Sequence, residues 1–460
     1  MAGKLSDTAC IYAWDYPVIN FSRKELRYCC RSAPQRLSDA DIAQGPDLFD
    51  NHSSVTDLRR DLLNGIKNSR CSSCWEIEAA GGKGPRTRID AFINFINTNN
   101  VWPGLNWDQI AQKLEQLSQQ DVEKLINLRF PKKIEISLGN TCDLKCVYCN
   151  HHYSSQWAAE LLKHDVIKAH EIEQELPQSK DTAYEDIWWA WFEQHASKHN
   201  ETVNFIGGEP LIIDKFYSYC NRIIDFYQCN PGIGPKELTV VTNFNTPARY
   251  LDRFLEICSR VIQSDNVCMD VNVSCESLGA RTEFIRSGSD WQLMLHNVDR
   301  LLDWLALNDP THQITFSLQI ALNALCISDL PNFFRWVIEL QMRTMRPINL
   351  RSNQVVYPSW CNPHILPVDH VKYIEHTIQL LESAYHKFVS VHKYHPWGGW
   401  NDYVRFLETI KAGMANPHKD AAARKRFAVS LDTLVQRRGL DFAATFPEMQ
   451  DFYDLCRSIP

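Results

Sequence analysis

Three cysteines in one short segment constrain this chain of 460 residues more than any other feature of its sequence. Cys142, Cys146 and Cys149 follow the pattern C-x3-C-x2-C and come directly after the strand-like run KKIEISL at 132–138. Three thiolates on one loop suit an iron–sulfur cluster, because iron prefers soft sulfur ligands. A cubane cluster has four irons, so three cysteines would leave one iron open to a substrate or a cofactor. A structural zinc site would normally recruit a fourth Cys or His.

From residue 132 onward, short runs rich in β-branched residues alternate with segments that have helical patterns. The predicted strands are 132–138, 202–206, 237–242, 269–274, 313–322 and 347–356. Connections such as 251–263 and 290–305 have the spacing of helices. Six such β–α units imply parallel strands with right-handed crossovers, and therefore an α/β sheet or a partial barrel. In that architecture the chemistry lies at the carboxyl ends of the strands.

Small and polar residues follow these strands where each one ends. The second strand ends in Gly207–Pro210 (GGEP), where glycines allow the backbone to approach a ligand and carbonyls beside a carboxylate can accept hydrogen bonds from an ammonium group. Asn243, Ser274 and Glu276 follow the third and fourth strands, and Arg286 comes shortly afterwards. Short polar side chains suit ribose hydroxyls, and a planar guanidinium suits a carboxylate.

With the aromatic Tyr148 directly before Cys149, the loop reads C-x3-C-x-aromatic-C, and GGEP ends the next strand. In these motifs the chain resembles the radical S-adenosylmethionine (SAM) superfamily. The resemblance implies a partial (βα)6 TIM-like barrel and a [4Fe–4S] cluster on Cys142, Cys146 and Cys149. It implies SAM contacts at Tyr148, Gly207, Gly208, Glu209, Pro210, Asn243, Ser274, Glu276 and Arg286. The expected reaction is reductive cleavage of SAM to a 5′-deoxyadenosyl radical, which abstracts hydrogen from a substrate.

A second set of cysteines occupies the first 90 residues. Two β-prone runs around the polar segment 22–25 predict a hairpin, which would bring Cys10 close to Cys29. Cys71 and Cys74 form a C-x2-C pair, which can direct both sulfurs at one metal ion. Cys30 is a spare thiol. From spacing alone, zinc and an iron–sulfur cluster both remain open.

The order of this segment is similar to the SPASM/twitch modules of radical SAM enzymes: a cysteine, an aromatic-rich strand, a hairpin, Cys-Cys, a helix and C-x2-C-Trp. The resemblance extends to the glycine-rich stretch 81–88, which we interpret as a connector. It implies a second, auxiliary [4Fe–4S] cluster on Cys10, Cys29, Cys71 and Cys74, with Cys30 as the alternative to Cys29. Lys24 stands where that family usually has glycine, so we expect the turn to be made differently.

These features predict four regions. They are a SPASM/twitch-like α+β module at 1–90, a helical linker at 91–130, the radical SAM partial barrel at 131–360 and a helical C-terminal region at 361–460. The aromatic residues of 184–192 predict a core helix. The basic residues around 424–438 predict a solvated face. The isolated cysteines are expected to be small buried hydrophobes, and they are Cys220, Cys229, Cys258, Cys268, Cys275, Cys326, Cys361 and Cys456.

Composition narrows the class of function. A formal net charge of −7 argues against an extended nucleic-acid surface. The N-terminus lacks an apolar segment of signal-peptide type, and no apolar run is long enough to cross a membrane, so we expect a cytoplasmic protein. Sixteen cysteines then indicate metal ligation and free thiols rather than disulfides.

The sequence leaves three functions open. The first is radical SAM chemistry on a peptide or protein side chain, with the auxiliary cluster assisting electron transfer and a flavodoxin or ferredoxin as electron donor. The second is the same chemistry on a small metabolite or nucleotide. The third, from another class, is a non-catalytic iron–sulfur electron carrier or a zinc-stapled binding protein, which would not need polar residues at the strand ends.

Overall fold

A computed structural model describes residues 5–79, 89–175, 182–233, 236–392, 400–416 and 420–460. The predicted connector at 81–88 lies outside these residues. The described strands are β1 Pro17–Asn20, β2 Glu25–Tyr28, β3 Gln35–Arg36, β4 Lys133–Ser137, β5 Lys145–Cys146, β6 Thr202–Ile206, β7 Lys236–Thr242, β8 Val267–Ser274, β9 Arg286–Ser287, β10 Ile314–Leu322 and β11 Ile348–Gln354. All six strands predicted from the sequence are therefore present, with bounds within two residues of those expected.

Helices make up most of the remaining described chain. They are α1 Leu5–Thr8, α2 Tyr12–Asp15, α3 Asp39–Ile42, α4 Leu48–Asn51, α5 Ser53–Leu63, α6 Ser72–Ala79, α7 Ile89–Thr98, α8 Trp107–Glu115, α9 Gln119–Ile126, α10 Ser155–Lys163, α11 Ala169–Glu175, α12 Ala183–Gln194, α13 Asp214–Cys229, α14 Ala248–Ile262, α15 Gly279–Ile285, α16 Trp291–Asn308, α17 Leu330–Thr344, α18 Val371–His392, α19 Trp400–Ala415, α20 Ala421–Arg438, α21 Phe442–Thr445 and α22 Gln450–Arg457. Within the described ranges, none of them is long and apolar enough to cross a membrane.

The chain divides into two compact units, and neither is continuous in sequence. The first unit comprises Met1–Gly139, Ala169–Ile206 and Phe226–Leu238, and the second comprises Asn140–Lys168, Gly207–Asp225 and Thr239–Pro460. The fold class is mixed α/β with a parallel central sheet.

In the first unit the strand order is β3-β2-β1-β4-β6. The pairs β1–β4 and β4–β6 are parallel, whereas β1–β2 and β2–β3 are antiparallel. Helix α12 contributes fully buried aromatic side chains, including Trp188 and Trp191, to the core of this unit. Trp191 also donates a hydrogen bond of 2.7 Å to the buried carboxylate of Asp50. The prediction of a core helix at 184–192 is confirmed.

In the second unit β8, β10 and β11 are parallel neighbours in the order β8-β10-β11. Side chains alternate between the two faces of each strand, so the register assigns every residue to a face. One face is mostly apolar and carries Met269, Val271, Val273, Phe316, Leu318, Ile320, Ile348 and Leu350, with Ser352 and Gln354 at the end of β11. The other is mostly polar and carries Asp270, Asn272, Ser274, Thr315, Ser317, Gln319, Asn349, Arg351 and Asn353, with Ala321 near the end of β10.

Asp15, at the end of α2 in the first unit, links stability to pH. One of its carboxylate oxygens is buried and has no hydrogen-bond partner in the described part of the chain. Burial raises the pKa of Asp15 from 3.8 to about 7. The folded protein therefore binds this proton more tightly than the unfolded chain, and stability falls as the pH rises from about 4 through about 7.

We expect Asp15→Asn to be more stable than the parent at pH 8 and equally stable at pH 4, measured by thermal unfolding. A parent protein equally stable to the variant at pH 8 would contradict this.

Candidate functional site

The three-cysteine loop of the second unit is held by side chains that donate to its backbone carbonyls. Ser154 donates to the carbonyl of Leu144 at 2.6 Å, and the indole of Trp157 donates to that of Cys146 at 2.8 Å. Ser155 donates to the carbonyl of Cys142 at 3.0 Å and accepts from its amide at 3.1 Å. A loop whose polar backbone groups are satisfied in this way keeps one conformation.

Cys146 lies opposite an arginine in a two-stranded antiparallel pair, β5–β9, in which the register places it against Arg286. Arg286 binds the carboxylate of Glu276 through Nε at 3.1 Å and Nη2 at 2.7 Å. The hydroxyl of Tyr148 donates to the other oxygen of Glu276 at 2.9 Å. Four of the predicted site residues are thus brought together, and part of the Arg286 fork already binds Glu276.

Arg286 keeps its charge in this position. Burial by itself would lower the pKa of Arg286, but Glu276 and neighbouring groups raise it well above its ordinary value. The third nitrogen of the guanidinium, Nη1, lies 4.0 Å from the sulfur of Cys146. A permanent positive charge beside a thiol favours the thiolate form that a metal needs.

The three thiols are half-buried and belong to one short loop of the sequence. Burial raises the pKa of Cys146 to about 12, with Arg286 opposing the rise and Cys149 adding to it. Burial also raises the pKa of Cys142, and the neighbouring Cys146 contributes. Among the described residues, no group of three metal-ligating side chains is arranged to hold a metal ion. What fits an iron–sulfur cluster is the donor set: three thiols of one pinned loop, beside a buried cation.

The GGEP segment contacts this loop through its backbone. Both Gly207 and Gly208 have positive φ, 89° and 56°. The amide of Glu209 donates to the carbonyl of Thr141 at 2.8 Å. A Cβ added to Gly208 would lie 2.1 Å from the carbonyl oxygen of Thr141. Glycine is therefore required both by conformation and by close approach to the residue before Cys142.

Gly208→Ala tests this close approach. We expect the free energy of unfolding to fall by at least about 3 kcal/mol. An alanine is destabilised by the left-handed backbone conformation, and its Cβ would also be overpacked against Thr141. Gly279→Ala is the matched control, since Gly279 has a φ of 54° and no atom within 4 Å of an added Cβ. It should lose about 1–2 kcal/mol from conformation alone. Equal losses by chemical denaturation would show that the contact is unimportant.

The carboxylate of Glu209 is satisfied by its own chain. It accepts hydrogen bonds from the hydroxyl of Thr242 at 2.6 Å, the amide of Asn243 at 2.6 Å and the amide of Leu211 at 3.0 Å. Burial raises the pKa of Glu209 to about 7, although these three donors oppose the rise. Glu209 therefore orders the ends of two strands, and Pro210, which begins a 3-10 turn, follows it.

One further residue of this site was missed in the sequence. Asp143, inside the cysteine loop, accepts a hydrogen bond of 2.7 Å from the side chain of Asn243. Its position between Cys142 and Cys146 was the signal that could have found it. Ser274 ends β8 half-buried on the polar face of the sheet.

An arginine of the C-terminal helix α20 reaches the same loop. Arg438 binds both carboxylate oxygens of Glu160, the closest contact being 3.0 Å, and donates to the carbonyl of Lys145 at 2.8 Å. Its guanidinium lies 4.5 Å from the ring centroid of Trp157. The side chain is only 1% exposed. The prediction that the basic residues of 424–438 form a solvated face is therefore wrong for Arg438.

The N-terminal cysteines lie in the first unit, where the predicted hairpin is formed by β1 and β2 and ends directly before Cys29. β1 and β2 pair with Pro17 opposite Tyr28, and the amide of Cys29 donates to the carbonyl of Tyr16 at 2.7 Å. Cys10 and Cys74 are buried, Cys29 and Cys71 are half-buried, and Cys30 is exposed.

Electrostatic effects among these thiols indicate their proximity. The hydrogen bond with Cys30 and burial raise the pKa of Cys29, and Cys10 adds to the rise. Burial raises the pKa of Cys74, and Cys10 again contributes. The segment before Cys71 is joined to the hairpin end, since the amide of Ala33 donates to the carbonyl of Arg70 at 3.0 Å. The hairpin and the C-x2-C pair thus belong to one neighbourhood.

The hairpin turn contains Lys24 at the position for which glycine is usual in the resembling family. Lys24 adopts the left-handed backbone conformation, with a φ of 49°. Its ammonium group binds Asp39 at 2.8 Å. A lysine thus takes at this position a conformation that glycine adopts most readily, and the expectation of a different turn stays a prediction.

The isolated cysteines follow the expectation in most cases. Cys220, Cys258, Cys275, Cys326, Cys361 and Cys456 are buried. Cys229, the last residue of α13, is exposed, and Cys268 is half-buried. The prediction of burial is wrong for these two.

Comparisons with known proteins find a weak likeness to a solved structure. No protein-family model matches the chain, and no curated protein matches it. Among solved structures, the chain is similar to the crystal structure of Streptococcus suis SuiB bound to S-adenosylmethionine. The sequence identity is 12%, the match covers 76% of this chain and 73% of that chain, and the TM-score is 0.25. A likeness at this TM-score does not by itself support a function.

Proposed function

We propose that the chain is a radical SAM enzyme with a partial-barrel catalytic region. One observation carries the proposal: in the second unit, three half-buried thiols of one pinned loop lie beside the Arg286–Glu276–Tyr148 group and against the GGEP backbone. A protein with a purely structural metal site would need the thiols but not this surrounding set of polar residues.

Cys142, Cys146 and Cys149 would hold a [4Fe–4S] cluster, and the fourth iron would be left for SAM. When bound, the reduced cluster and SAM supply one-electron cleavage of a carbon–sulfur bond and a 5′-deoxyadenosyl radical that abstracts hydrogen. The protein's own work is positioning. Arg286 provides a fixed cation beside Cys146, and the hydrogen-bonded loop prevents the thiols from drifting apart.

The polar strand ends would bind SAM. Backbone carbonyls of Gly207–Pro210 suit its ammonium group, and the internally satisfied Glu209 holds those carbonyls in place. Tyr148 would contact the adenine, and Asn243, Ser274 and Glu276 the ribose. Arg286 would contact the carboxylate of SAM with the part of its fork that Glu276 leaves open.

The N-terminal module would carry an auxiliary [4Fe–4S] cluster on Cys10, Cys29 or Cys30, Cys71 and Cys74, in the manner of a SPASM/twitch domain. Full ligation by four thiols favours electron transfer over substrate binding. We propose a peptide or protein side chain as substrate, with a small metabolite or nucleotide as the alternative, and a flavodoxin or ferredoxin as electron donor in the cytoplasm.

Anaerobic reconstitution tests the proposal. We expect about eight irons and about eight sulfides per chain, as two [4Fe–4S] clusters require. With SAM and a strong reductant, the protein should release 5′-deoxyadenosine and methionine, detected by liquid chromatography and mass spectrometry. Zinc in place of iron, or a reconstituted protein that leaves SAM intact, would overturn it.

A further inference from the structure

The polar face of β8, β10 and β11 is unusual for parallel strands. Strands covered on both faces normally read as continuous hydrophobic runs, because both faces are dry. Here Asp270 and Ser317 are fully buried and Asn272 is almost so, yet all three lie on the same face. Buried polar groups cost free energy unless they are paired, so a cluster of them on one face indicates a functional role.

Asp270 is the centre of the face. Its carboxylate accepts from the hydroxyl of Ser317 at 2.6 Å and from the side-chain amide of Asn272 at 3.1 Å. It also accepts from one nitrogen of the Arg351 guanidinium. Among the described residues, Asp270 is the one hydrogen-bond partner of the Arg351 side chain. The other donors of this guanidinium are open, and 46% of its side chain is exposed.

A second arginine–aspartate pair of the same unit shows what a purely structural pair looks like. Arg346 binds Asp309, and its guanidinium also donates to the carbonyls of Leu305, Asp309 and Ile314. Both side chains are buried, with 7% and 0% exposed. The guanidinium donors of Arg346 thus form hydrogen bonds within its own chain. Arg351 is held by Asp270 but keeps its remaining donors available.

Arg351 lies in line with the proposed SAM site. The register aligns Ser274 with Gln319, and Gln319 with Arg351, across three neighbouring strands. Adjacent strands lie about 4.8 Å apart, so the Cα atoms of Ser274 and Arg351 are separated by roughly 10 Å. A molecule placed beside the ribose contact at Ser274 would lie within reach of the guanidinium.

We propose that Arg351 binds an oxyanion of the substrate, a carboxylate or a phosphate, and that Asp270 orients the guanidinium for it. That the anion belongs to the substrate rests on the proposed function, whereas anion binding at Arg351 does not. A guanidinium fork matches such an anion with two parallel hydrogen bonds. The buried Oδ1 of Asn272 has no partner in the described chain and would accept a hydrogen bond from the same ligand or from a water that it orders.

Chemical labelling of arginine tests the site without requiring turnover. The reconstituted protein, with SAM bound, is treated with phenylglyoxal, and modified arginines are mapped by peptide mass spectrometry. Inorganic phosphate and acetate are compared with sodium chloride at equal ionic strength. At an anion concentration twice its dissociation constant, labelling of Arg351 should fall about threefold. Arg300 is the matched control, because it is also a partly exposed arginine paired with an aspartate, Asp252.

Stronger protection by phosphate would identify a phosphate-bearing substrate, and stronger protection by acetate a carboxylate; either supports the site. Equal protection of Arg351 and Arg300, or none at Arg351, overturns it. Arg351→Lys and Arg351→Gln provide a second readout, the broadening of the resonance of the protecting anion: phosphorus for phosphate, or the methyl protons for acetate. The glutamine variant should lose this broadening and the lysine variant should keep part of it, and unchanged broadening in Arg351→Gln would also overturn the site.

The outcome is independent of the SAM-cleavage assay. Protection of Arg351 in a protein that does not cleave SAM would preserve the anion site and reject the proposed function. Cleavage of SAM without protection would reject the anion site alone.

Discussion

Cys146→Ala is expected to abolish the release of 5′-deoxyadenosine from SAM. The loss should exceed about 100-fold, since even a change in the outer-shell partner of a metal ligand costs 10–100-fold. Cys146 is the thiol that lies opposite Arg286 and whose carbonyl is bound by Trp157, so its backbone is held by both β5–β9 pairing and a side-chain hydrogen bond. After anaerobic reconstitution the variant should retain about half of its iron, held by the N-terminal module.

Cys74→Ala is the contrasting variant, because it removes a thiol of the first unit. We expect SAM cleavage within about tenfold of the parent, equivalent to about 1.4 kcal/mol in the barrier, but uncoupled from substrate. Cys229→Ala serves as control for the loss of any thiol, since Cys229 is exposed at the end of α13. Equal and complete loss of cleavage in Cys146→Ala and Cys74→Ala would contradict the division of labour between the two cysteine groups.

The strands and the cysteine loop could be predicted because their signals are local. β10, for example, alternates apolar residues such as Phe316 and Leu318 with polar ones such as Ser317, and a period of two is visible in nine residues of sequence. The hairpin before Cys29 was predictable for the same reason. Its short strands are joined by a polar segment, and their pairing follows from the turn.

Long-range partners could not be predicted in this way. Arg438 and Glu160 are 278 residues apart, and nothing in the sequence around either one distinguishes it from an exposed charge. Arg438 follows Arg437, and Arg424, Lys425 and Arg426 lie earlier on the same helix; such basic residues usually indicate solvent exposure. Only the docking of α20 in the second unit decides that this arginine is buried.

The sequence also does not show whether a polar side chain is already bound by other residues of the same chain. The resemblance assigned Glu209 and Arg286 to SAM, and the structure adds that both already have strong partners in their own chain. The backbone at Lys24 was equally unpredictable. Positive φ is uncommon for lysine, and Lys24 nevertheless adopts it, which a rule based on residue type does not predict.

Glu160→Gln is expected to destabilise the second unit more than Arg438→Met. Removing the carboxylate leaves Arg438 buried without a counter-ion among the described residues, and breaking a buried pair in this way costs about 3–5 kcal/mol. Arg438→Met leaves Glu160 paired with Lys145 at 2.7 Å, so the loss should be only about 1.5–3 kcal/mol. Chemical denaturation followed by circular dichroism measures both.

Asp252→Asn is the control for this comparison, because it removes an exposed partner of Arg300 and should cost less than about 1 kcal/mol. The pH dependence gives an independent check. Burial alone would raise the pKa of Glu160, but Arg438 and Lys145 lower it below its ordinary 4.5. Its contribution is therefore present above pH 4.5 and lost as the pH falls through the folded pKa, so the gap between the parent and Glu160→Gln should narrow in acid. A gap that stays constant below pH 4.5, or a larger loss in Arg438→Met, would show that Glu160 does not hold α20 on the cysteine loop through its charge.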